Sequence, residues 1–503
     1  MSTKFSRRKF IRTAALGSVG IALATRVAAQ SAKIPSKPNL LVFLPDQLRA
    51  DAVFGESANA VHAPAIHKLA SQSAIFEHAY VTHPICAPSR SSLFSGTWPH
   101  TNGCTNNQLS LPHKFKCLPE MLADSDYRCG YFGKWHLGDE FSTQRGFEDW
   151  ISIEESFKSA IGPHKIEGVS DYTKFLIEKG HKPDHGKYFS RTYSRNLPLE
   201  LSEPKFLETH TCEFLERNRD RPFIAFIAFI EPHPPYTGPF NDEHPLAQIS
   251  LDASNADRLG EEMPLHYRLR EEVYRKRYDE NGERYREIKQ KYFGLITEID
   301  HCIGGILSKL DELGLTDTTI TVLTSDHGDM MGAHGLLGKR FMFEQSAAVP
   351  YLVRIPGQKD SLRVRQAISH IDFAPTILDL LGKTPDPQCV GKSRAALVRG
   401  GSMPPEHVFI EWAPGKEKIN QHTKLASKDQ VKQALTESTR AVVTSDGWKL
   451  CLRDKDKNEL YNLPKDPDER KNVYSDSDQR DTIKHLTDQI REWQRRVGDT
   501  VKV

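Results

Sequence analysis

Apolar stretches that end abruptly in polar residues recur along the chain. Four of them are residues 39–44 (NLLVFL), 127–132 (YRCGYF), 222–230 (PFIAFIAFI) and 318–323 (TTITVL). The polar segments that follow them are Pro45-Asp46-Gln47, Gly133-Lys134-Trp135-His136, Glu231-Pro232-His233 and Thr324-Ser325-Asp326-His327-Gly328. Runs so rich in β-branched and aromatic residues are typical of strands that are buried on both faces of a parallel sheet.

Between these strands the apolar residues follow helical spacing. In residues 285–313 they recur at every third or fourth position, and Gly314 closes the segment. Alternation of strand and helix predicts an α/β fold with a large, mostly parallel sheet flanked by helices. In such sheets ligands bind beyond the carboxyl ends of the strands. We therefore expect the four polar segments to meet at one edge.

The pattern changes after residue 383. Prolines at 385, 387, 404 and 405 indicate a junction, and residues 440–454 predict a β-hairpin that turns at Asp446-Gly447. An amphipathic helix follows near the C-terminus. These features predict a catalytic domain over residues 36–383 and a smaller α+β subdomain over residues 384–503, with a short antiparallel sheet.

The first 29 residues have the pattern of an export signal. Paired Arg7 and Arg8 precede a short apolar run of small residues that ends at Val27-Ala28-Ala29. This resembles a bacterial twin-arginine signal, which is read by the twin-arginine translocase and removed. It predicts a periplasmic or secreted protein without a stable membrane span after processing.

Composition narrows the function classes further. The 503 residues carry a net charge of +2, so no global charge favours nucleic acid or a membrane surface. The eight cysteines contain no CxxC pair, which argues against zinc-ribbon and thioredoxin-like proteins. Residues 152–200 are rich in lysine, which predicts either a solvated surface or a rim that attracts a polyanion. Residues 241–283 are charged and low in aliphatic residues, which predicts a solvated insertion.

Three motifs carry a family resemblance. They are Cys-Ala-Pro-Ser-Arg at 86–90 with Leu-Phe-Ser-Gly at 93–96, Gly-Lys-Trp-His-Leu-Gly at 133–138, and Ser-Asp-His-Gly at 325–328. Together they resemble the type I sulfatases of the alkaline phosphatase superfamily, from about Asn39 to the C-terminus. The resemblance implies a sulfuric ester hydrolase in which Cys86 is oxidised to formylglycine (3-oxoalanine). The maturation enzyme, formylglycine-generating or anaerobic, would read Pro88 and Arg90.

The resemblance also implies a role for each site residue. One hydroxyl of the hydrated aldehyde would attack sulfur, and the second would expel sulfate. The implied ligands of a divalent cation, Ca²⁺ or else Mg²⁺ or another ion, are Asp46, Gln47, Cys86, Asp326 and His327. The implied catalytic residues are Cys86, Arg90 on the hydrate, Lys134 between hydrate and sulfate, His136 as the base, and His233 and Lys339 on the sulfate or leaving oxygen.

Two ligand positions depart from the common family pattern. Many members have Asp where Gln47 stands and Asn where His327 stands, so weaker calcium binding or a different divalent ion is an open alternative. His83, His100 and His334 flank the motifs and are candidates for substrate contact.

Three functions remain open at this stage. The first is a sulfatase acting on a sulfated carbohydrate or polysaccharide fragment. The second is a phosphonate monoester or phosphodiester hydrolase of the same superfamily, since relatives with Asp-Gln at the first metal segment perform that reaction. The third is a non-catalytic anion-binding protein, which would apply if Cys86 stayed unmodified.

Overall fold

The computed structural model describes residues 35–55, 57–155, 168–278, 282–415 and 423–503. The predicted export signal lies outside the described residues. The strands in this part of the chain are β1 (Asn39–Phe43), β2 (Ala74–Phe76), β3 (Ala79–Tyr80), β4 (Arg128–Gly133), β5 (Asp149–Ile151), β6 (Phe223–Ala228), β7 (Thr319–Thr324), β8 (Tyr351–Arg354), β9 (Leu362–Val364), β10 (Ile368–Ser369), β11 (Val408–Trp412), β12 (Thr439–Val443), β13 (Trp448–Arg453) and β14 (Glu459–Asn462).

The α-helices of the same ranges are α1 (Asp51–Phe54), α2 (Pro64–Ala70), α3 (Cys86–Ser95), α4 (Pro99–Asn102), α5 (Leu118–Leu122), α6 (Asp171–Glu178), α7 (Arg191–Ser194), α8 (Glu203–Arg217), α9 (Leu265–Tyr278), α10 (Glu283–Glu312), α11 (Glu344–Ala347), α12 (Phe373–Leu380), α13 (Ala395–Val398), α14 (Lys428–Ala434) and α15 (Arg480–Val497). In these helices, none combines the length and the apolar character that crossing a bilayer requires.

An eight-stranded sheet forms the centre of the fold, in the order β5-β4-β6-β1-β7-β8-β2-β9. The strands β5, β4, β6, β1 and β7 are all parallel to one another, and β8 runs antiparallel to both β7 and β2. The predicted fold class, a large and mostly parallel sheet with flanking helices, is confirmed.

Both faces of this sheet are buried, which explains the continuous apolar runs. Along β1, Leu40 and Val42 join one hydrophobic cluster, while Leu41 and Phe43 join another on the opposite face. Helices α3, α5 and α12 contribute to the first cluster, and α2, α8 and α10 contribute to the second. Because successive side chains of a strand point to opposite faces, apolar residues are needed at both odd and even positions to fill both layers.

A second, four-stranded sheet lies near the C-terminus, in the order β11-β12-β13-β14. All its pairs are antiparallel, and the predicted hairpin is formed by β12 and β13. Helix α15 covers this sheet through Leu486, Ile490 and Trp493, and the Trp493 ring stacks on Phe409 with centroids 5.0 Å apart. The predicted short antiparallel sheet is therefore confirmed.

Candidate active site

The four polar segments lie together at one edge of the large sheet. They follow β1, β4, β6 and β7, which are parallel strands in the order β4-β6-β1-β7. Asp46 after β1 forms a parallel bridge with Pro232 after β6. The N–H of Lys134 after β4 donates to the carbonyl of Ala228 at 2.9 Å. Parallel pairing thus brings acidic, basic and imidazole side chains from distant parts of the sequence to one place.

Gly133 allows β4 to continue into the site. Its φ is +114°, and a Cβ at this position would lie 2.1 Å from the carbonyl oxygen of Ala228. No other residue tolerates both the conformation and the contact. The glycine of the Gly-Lys-Trp-His motif is therefore required by the backbone that positions Lys134.

Cys86 is the first residue of α3 and is almost fully buried, with 1% of its surface exposed. The preceding Ile85 is extended, so the chain enters the helix at the thiol itself. All ten residues of α3 are buried, and six of them are alanine, proline or serine, which are small enough for close packing. A cysteine at a helix N-terminus lies in the positive field of the helix dipole, which favours its ionised form.

Four charged or polar groups surround the sulfur of Cys86. Lys339 Nζ lies 3.0 Å from Sγ and His327 Nε2 lies 3.2 Å from it. Lys134 Nζ and both carboxyl oxygens of Asp46 lie at 3.9 Å. The sulfur therefore occupies the centre of the group of side chains that the sequence motifs singled out.

The charges around Cys86 favour an anion there. Burial and the Asp46 carboxylate oppose ionisation of the thiol, but Lys134, Lys339 and His327 outweigh them and hold the pKa of Cys86 well below its usual value. Burial would also raise the pKa of Asp46, yet Lys134 and Lys339 hold it well below its usual range. The site is preorganised for negative charge at position 86.

Arg90 and Asp326 form a fully buried ion pair beneath Cys86. Arg90 Nε donates to Asp326 Oδ2 at 2.8 Å, and Arg90 Nη1 donates to the carbonyl of Lys134 at 2.7 Å. In the described part of the chain, Arg90 Nη2 has no hydrogen-bond partner. Burial, followed by the Asp46 carboxylate, raises the pKa of Asp326. Arg90 thus connects α3 by hydrogen bonds to the segments after β4 and β7, and its Nη2 remains as a further donor.

Donor atoms of a possible cation site cluster around these groups. Asp46, Cys86, Asp326 and His327 each offer one ligand atom, and these atoms all lie within 4.8 Å of one another. Burial opposes protonation of His327, but Asp326 next to it raises the pKa of the imidazole. The close approach of two buried carboxylates fits a site that is completed by a positive ion.

Gln47 is held at the rim of this cluster in one orientation. Its Oε1 accepts from Lys339 Nζ at 2.9 Å, and its Nε2 donates to Asp329 Oδ2. Tyr236 OH donates to the same Asp329 oxygen at 2.6 Å. The N–H groups of Met331 and Gly338 donate to the other oxygen at 2.9 and 2.8 Å. Asp329 therefore forces the amide oxygen of Gln47 to face the site.

His136, which is buried, and His233, which is half-buried, complete the set. Burial and the nearby positive charge of Lys134 lower the pKa of His136 to about 3, and the Cys86 side chain only partly offsets them. Burial and Lys339 likewise lower the pKa of His233. Both rings are therefore neutral at pH 7 and able to accept a proton.

Sequence reasoning missed several residues that hold these groups in place. The Glu140 carboxylate accepts the N–H groups of Trp135 and His136 at 3.0 and 2.7 Å, which fixes the loop where His136 has a φ of +63°. The buried Glu154 carboxylate lies 3.8 Å from Lys134 Nζ and pairs with Arg191. Glu140 lies only seven residues after Gly133, so that motif offered a local signal. Asp329 directly follows Gly328, so the Ser-Asp-His-Gly motif offered a local signal as well. No such signal marked Glu154.

The three flanking histidines have different surroundings. His100 pairs with Glu411, and its Nε2 contacts the carbonyl of Val497 at 3.3 Å. His334 stacks on Phe343 with ring centroids 4.0 Å apart. These two are occupied by contacts within the fold, whereas His83 borders a recess next to the site.

Comparison with known proteins places the chain in a family. The Sulfatase family model matches residues 38–383, more than half of the chain, and the model of the C-terminal region of N-sulphoglucosamine sulphohydrolase matches residues 332–496. A solved phosphonate monoester hydrolase from Silicibacter pomeroyi has the same fold, with a TM-score of 0.72, 21% identity, and coverage of 92% of this chain and 96% of that one.

The curated relatives of this chain are named as sulfatases, and two of them show the extent of the match. The ulvan-active sulfatase of Formosa agariphila is 29% identical over 70% of this chain and 63% of its own length, so this chain matches less than two thirds of that relative. The choline-sulfatase of Rhizobium meliloti is 28% identical over 75% of this chain and 74% of its own length. With the match to the family model, these findings confirm the predicted family: the chain belongs to the sulfatases.

Proposed function

We propose that this protein hydrolyses sulfate esters of a carbohydrate, with residue 86 as the nucleophile. The observation that carries the proposal is the convergence of Asp46, Lys134, His327 and Lys339 within 3.9 Å of Cys86 Sγ. Fixed positive groups around a nucleophile suit the transfer of a group that carries negative charge on three oxygens. The ulvan-active relative and the N-sulphoglucosamine sulphohydrolase model support a sugar as the esterified alcohol.

The donor set fits a hard divalent cation. Asp46 and Asp326 supply carboxylate oxygens, Gln47 supplies an amide oxygen and His327 supplies a nitrogen, the mix that Ca²⁺ or another divalent ion accepts. When bound, the ion would neutralise the facing carboxylates and polarise the oxygens of the transferring group. We assign these four residues, together with the side chain at position 86, as its ligands.

Conversion of Cys86 to formylglycine belongs to the same proposal. The hydrated aldehyde supplies one hydroxyl to attack sulfur and a second whose collapse releases sulfate. The remaining Nη2 donor of Arg90 suits an oxygen of the hydrate, and the neutral His136 suits removal of its proton. Lys134 and Lys339 have ammonium groups near Sγ that can donate to sulfate oxygens. We assign His233 to contact with the sulfate or the leaving oxygen.

Export and maturation follow as linked proposals. The paired Arg7 and Arg8 support transport by the twin-arginine translocase, which carries folded proteins. The Cys-Ala-Pro-Ser-Arg sequence at 86–90 supports recognition by a formylglycine-generating or anaerobic sulfatase-maturating enzyme before transport.

Sulfate release from a panel of sulfated sugars tests the proposal, with choline sulfate and a phosphonate monoester as competing substrates. We expect the sugars to be preferred and Cys86→Ala to abolish turnover, while the control Cys212→Ala, outside the site, retains it. The mass of the tryptic peptide spanning residue 86 should show the aldehyde. Parent-like activity of Cys86→Ala would refute the nucleophile, and a large preference for choline sulfate or the phosphonate ester would refute the substrate class.

A further inference from the structure

A small recess lies beside the nucleophile, between the segment that precedes Cys86 and the end of β11. His83, Asn106, Asn107, Arg340 and Trp412 line it, and its volume is about 20 Å³. This is room for one water-sized group. The Oδ1 of Asn107 accepts the N–H of Ala87 at 3.0 Å, so the recess is fixed to the residue next to the nucleophile.

His83 presents a buried donor at this recess. Its Nε2 accepts the N–H of Ala413 at 3.1 Å, and its ring packs on Trp412 with centroids 5.0 Å apart. Burial, followed by the charge of Arg440, lowers the pKa of His83 to about 3, so the ring is neutral. Because Nε2 is the acceptor, the hydrogen must reside on Nδ1. In the described part of the chain this Nδ1 has no partner.

The other polar groups at the recess are also donors. Asn107 and Asn106 both use their Oδ1 atoms to accept backbone N–H groups, of Ala87 and Gln108 respectively, which leaves their NH₂ groups to donate. Arg340 adds a cationic side chain, and the described residues at the recess include no carboxylate. A site with donors and a positive charge is complementary to an anionic oxygen.

We propose that this recess receives one oxygen of an anionic substituent of the sugar, a carboxylate or a second sulfate, next to the ester sulfate that is cleaved. The Nδ1–H of His83 donates to one oxygen of that substituent. The inference rests on the proposed sulfatase function and makes it more specific: the substrate is a sulfated sugar with at least one further negative charge. His83 is then a residue that determines specificity rather than one that performs the reaction.

Two substitutions separate this role from a purely structural one. A glutamine at position 83 can place its Oε1 near the position of Nε2, which keeps the bond to Ala413 and removes the Nδ1 donor. An asparagine places its NH₂ near the position of Nδ1, which keeps a donor for the recess and loses the bond to Ala413. Binding in the recess predicts that His83→Gln is the more damaging change to substrate use. A structural role predicts the reverse order.

The experiment compares kcat/KM of each variant with the parent on N-acetylglucosamine 6-sulfate, glucosamine 2-N,6-O-disulfate and a sulfated glucuronic acid. Comparing variant and parent on one sugar cancels differences in the position of the ester. We expect His83→Gln to lower kcat/KM about 10- to 100-fold on the two sugars with a second charge. The loss should appear mainly in KM and should be at least tenfold smaller on N-acetylglucosamine 6-sulfate. His83→Asn should lose less than His83→Gln.

His244 supplies a matched control. It is buried, its Nε2 accepts the N–H of His62 at 3.0 Å, and its Nδ1 has no described partner, but it packs against Phe293 of α10 rather than at the site. His244→Gln should therefore leave all three ratios at the parent value. Equal losses by His83→Gln on all three sugars, or a larger loss by His83→Asn, would overturn the proposal.

Calorimetric binding keeps the two proposals distinguishable. The same sugars are titrated into the Cys86→Ala protein with and without His83→Gln, so the measurement does not depend on turnover. Weaker binding of the two doubly charged sugars by the double variant supports the recess, whether or not the parent hydrolyses the sulfate esters. Absence of hydrolysis by the parent would refute only the proposed function. Unchanged binding of all three sugars refutes the recess.

Discussion

Asp329 offers a direct test of how the cation site is built. Its two carboxyl oxygens accept four hydrogen bonds, from Met331 N, Gly338 N, Tyr236 OH and Gln47 Nε2. In Asp329→Asn the NH₂ group must replace one of these oxygens. Either orientation of the amide then places a donor against two other donors.

The cost of the change can be worked from these contacts. If the NH₂ group faces Gln47, the Tyr236 hydroxyl can rotate to accept, but Gln47 can recover a hydrogen bond only by flipping its amide. The flip turns Nε2 toward Lys339 Nζ and toward the proposed cation, where Oε1 belongs. A lost hydrogen bond to a charged group costs about 1.5–3 kcal/mol, so we expect Ca²⁺ to bind about 10- to 100-fold more weakly.

Titration calorimetry with Ca²⁺ on chelator-treated protein measures this affinity without relying on turnover. Tyr236→Phe is the matched control, since it removes one donor from Asp329 and leaves Gln47 in place. We expect it to change the Kd less than about fivefold, because the orientation of Gln47 is kept. The thermal unfolding of each variant without added cation shows whether the fold is retained. A folded Asp329→Asn protein that binds Ca²⁺ as tightly as the parent would refute the orienting role of Asp329.

Two further predictions concern other buried charges. Arg90→Lys keeps the positive charge, but a lysine cannot reach both Asp326 and the carbonyl of Lys134. We expect kcat for sulfate release to fall about 100-fold, which is the cost of one buried donor. A parent-like kcat would contradict this. Burial raises the pKa of Asp300 from 3.8 to about 6, although the N–H of Ile66 lowers it in part. Its stabilising contribution is therefore complete below about pH 4 and is lost as pH rises through about 6. Urea unfolding of the parent and of Asp300→Asn measures this contribution. The free energy of unfolding of the parent, relative to that of Asp300→Asn, should fall by about 3 kcal/mol between about pH 4 and pH 7. A difference that stays constant with pH would show that Asp300 does not titrate in this way.

The sequence predicts the bounds of an element best where both faces of that element are buried. The predicted strand at 318–323 is β7 at Thr319–Thr324, and the predicted helix at 285–313 is α10 at Glu283–Glu312. A strand between two helical layers has few charged positions, so the first charged residue after its apolar run marks the edge of the sheet. This is why the amino-acid pattern alone places the segments that carry Asp46, Lys134 and Asp326 at one edge.

Charged residues in polar segments give no comparable signal, because their burial depends on distant partners. The polarity of residues 241–283 predicts a solvated insertion, yet Met263 and Tyr267 are buried, and the Tyr267 hydroxyl accepts hydrogen bonds from Met342 N and Arg453 Nη2. That prediction is wrong for this part of the insertion. It relies on average polarity, whereas packing is decided by the few apolar residues that face the rest of the fold.

Residues 152–200 show the same limit closer to the site. The lysines of this segment suggest a solvated face or a basic rim, but the residues that reach the site are an acid and an arginine. Glu154 is buried between Lys134 and Arg191. Arg191 in turn lies 3.2 Å from Nδ1 of His233. The buried Glu154 carboxylate is stabilised by two partners of opposite charge, and these come from the end of β4 and from α7, far apart in the chain. Composition therefore indicates the sign of the charge on the outside of the segment, while tertiary contacts decide which of its side chains reach the site.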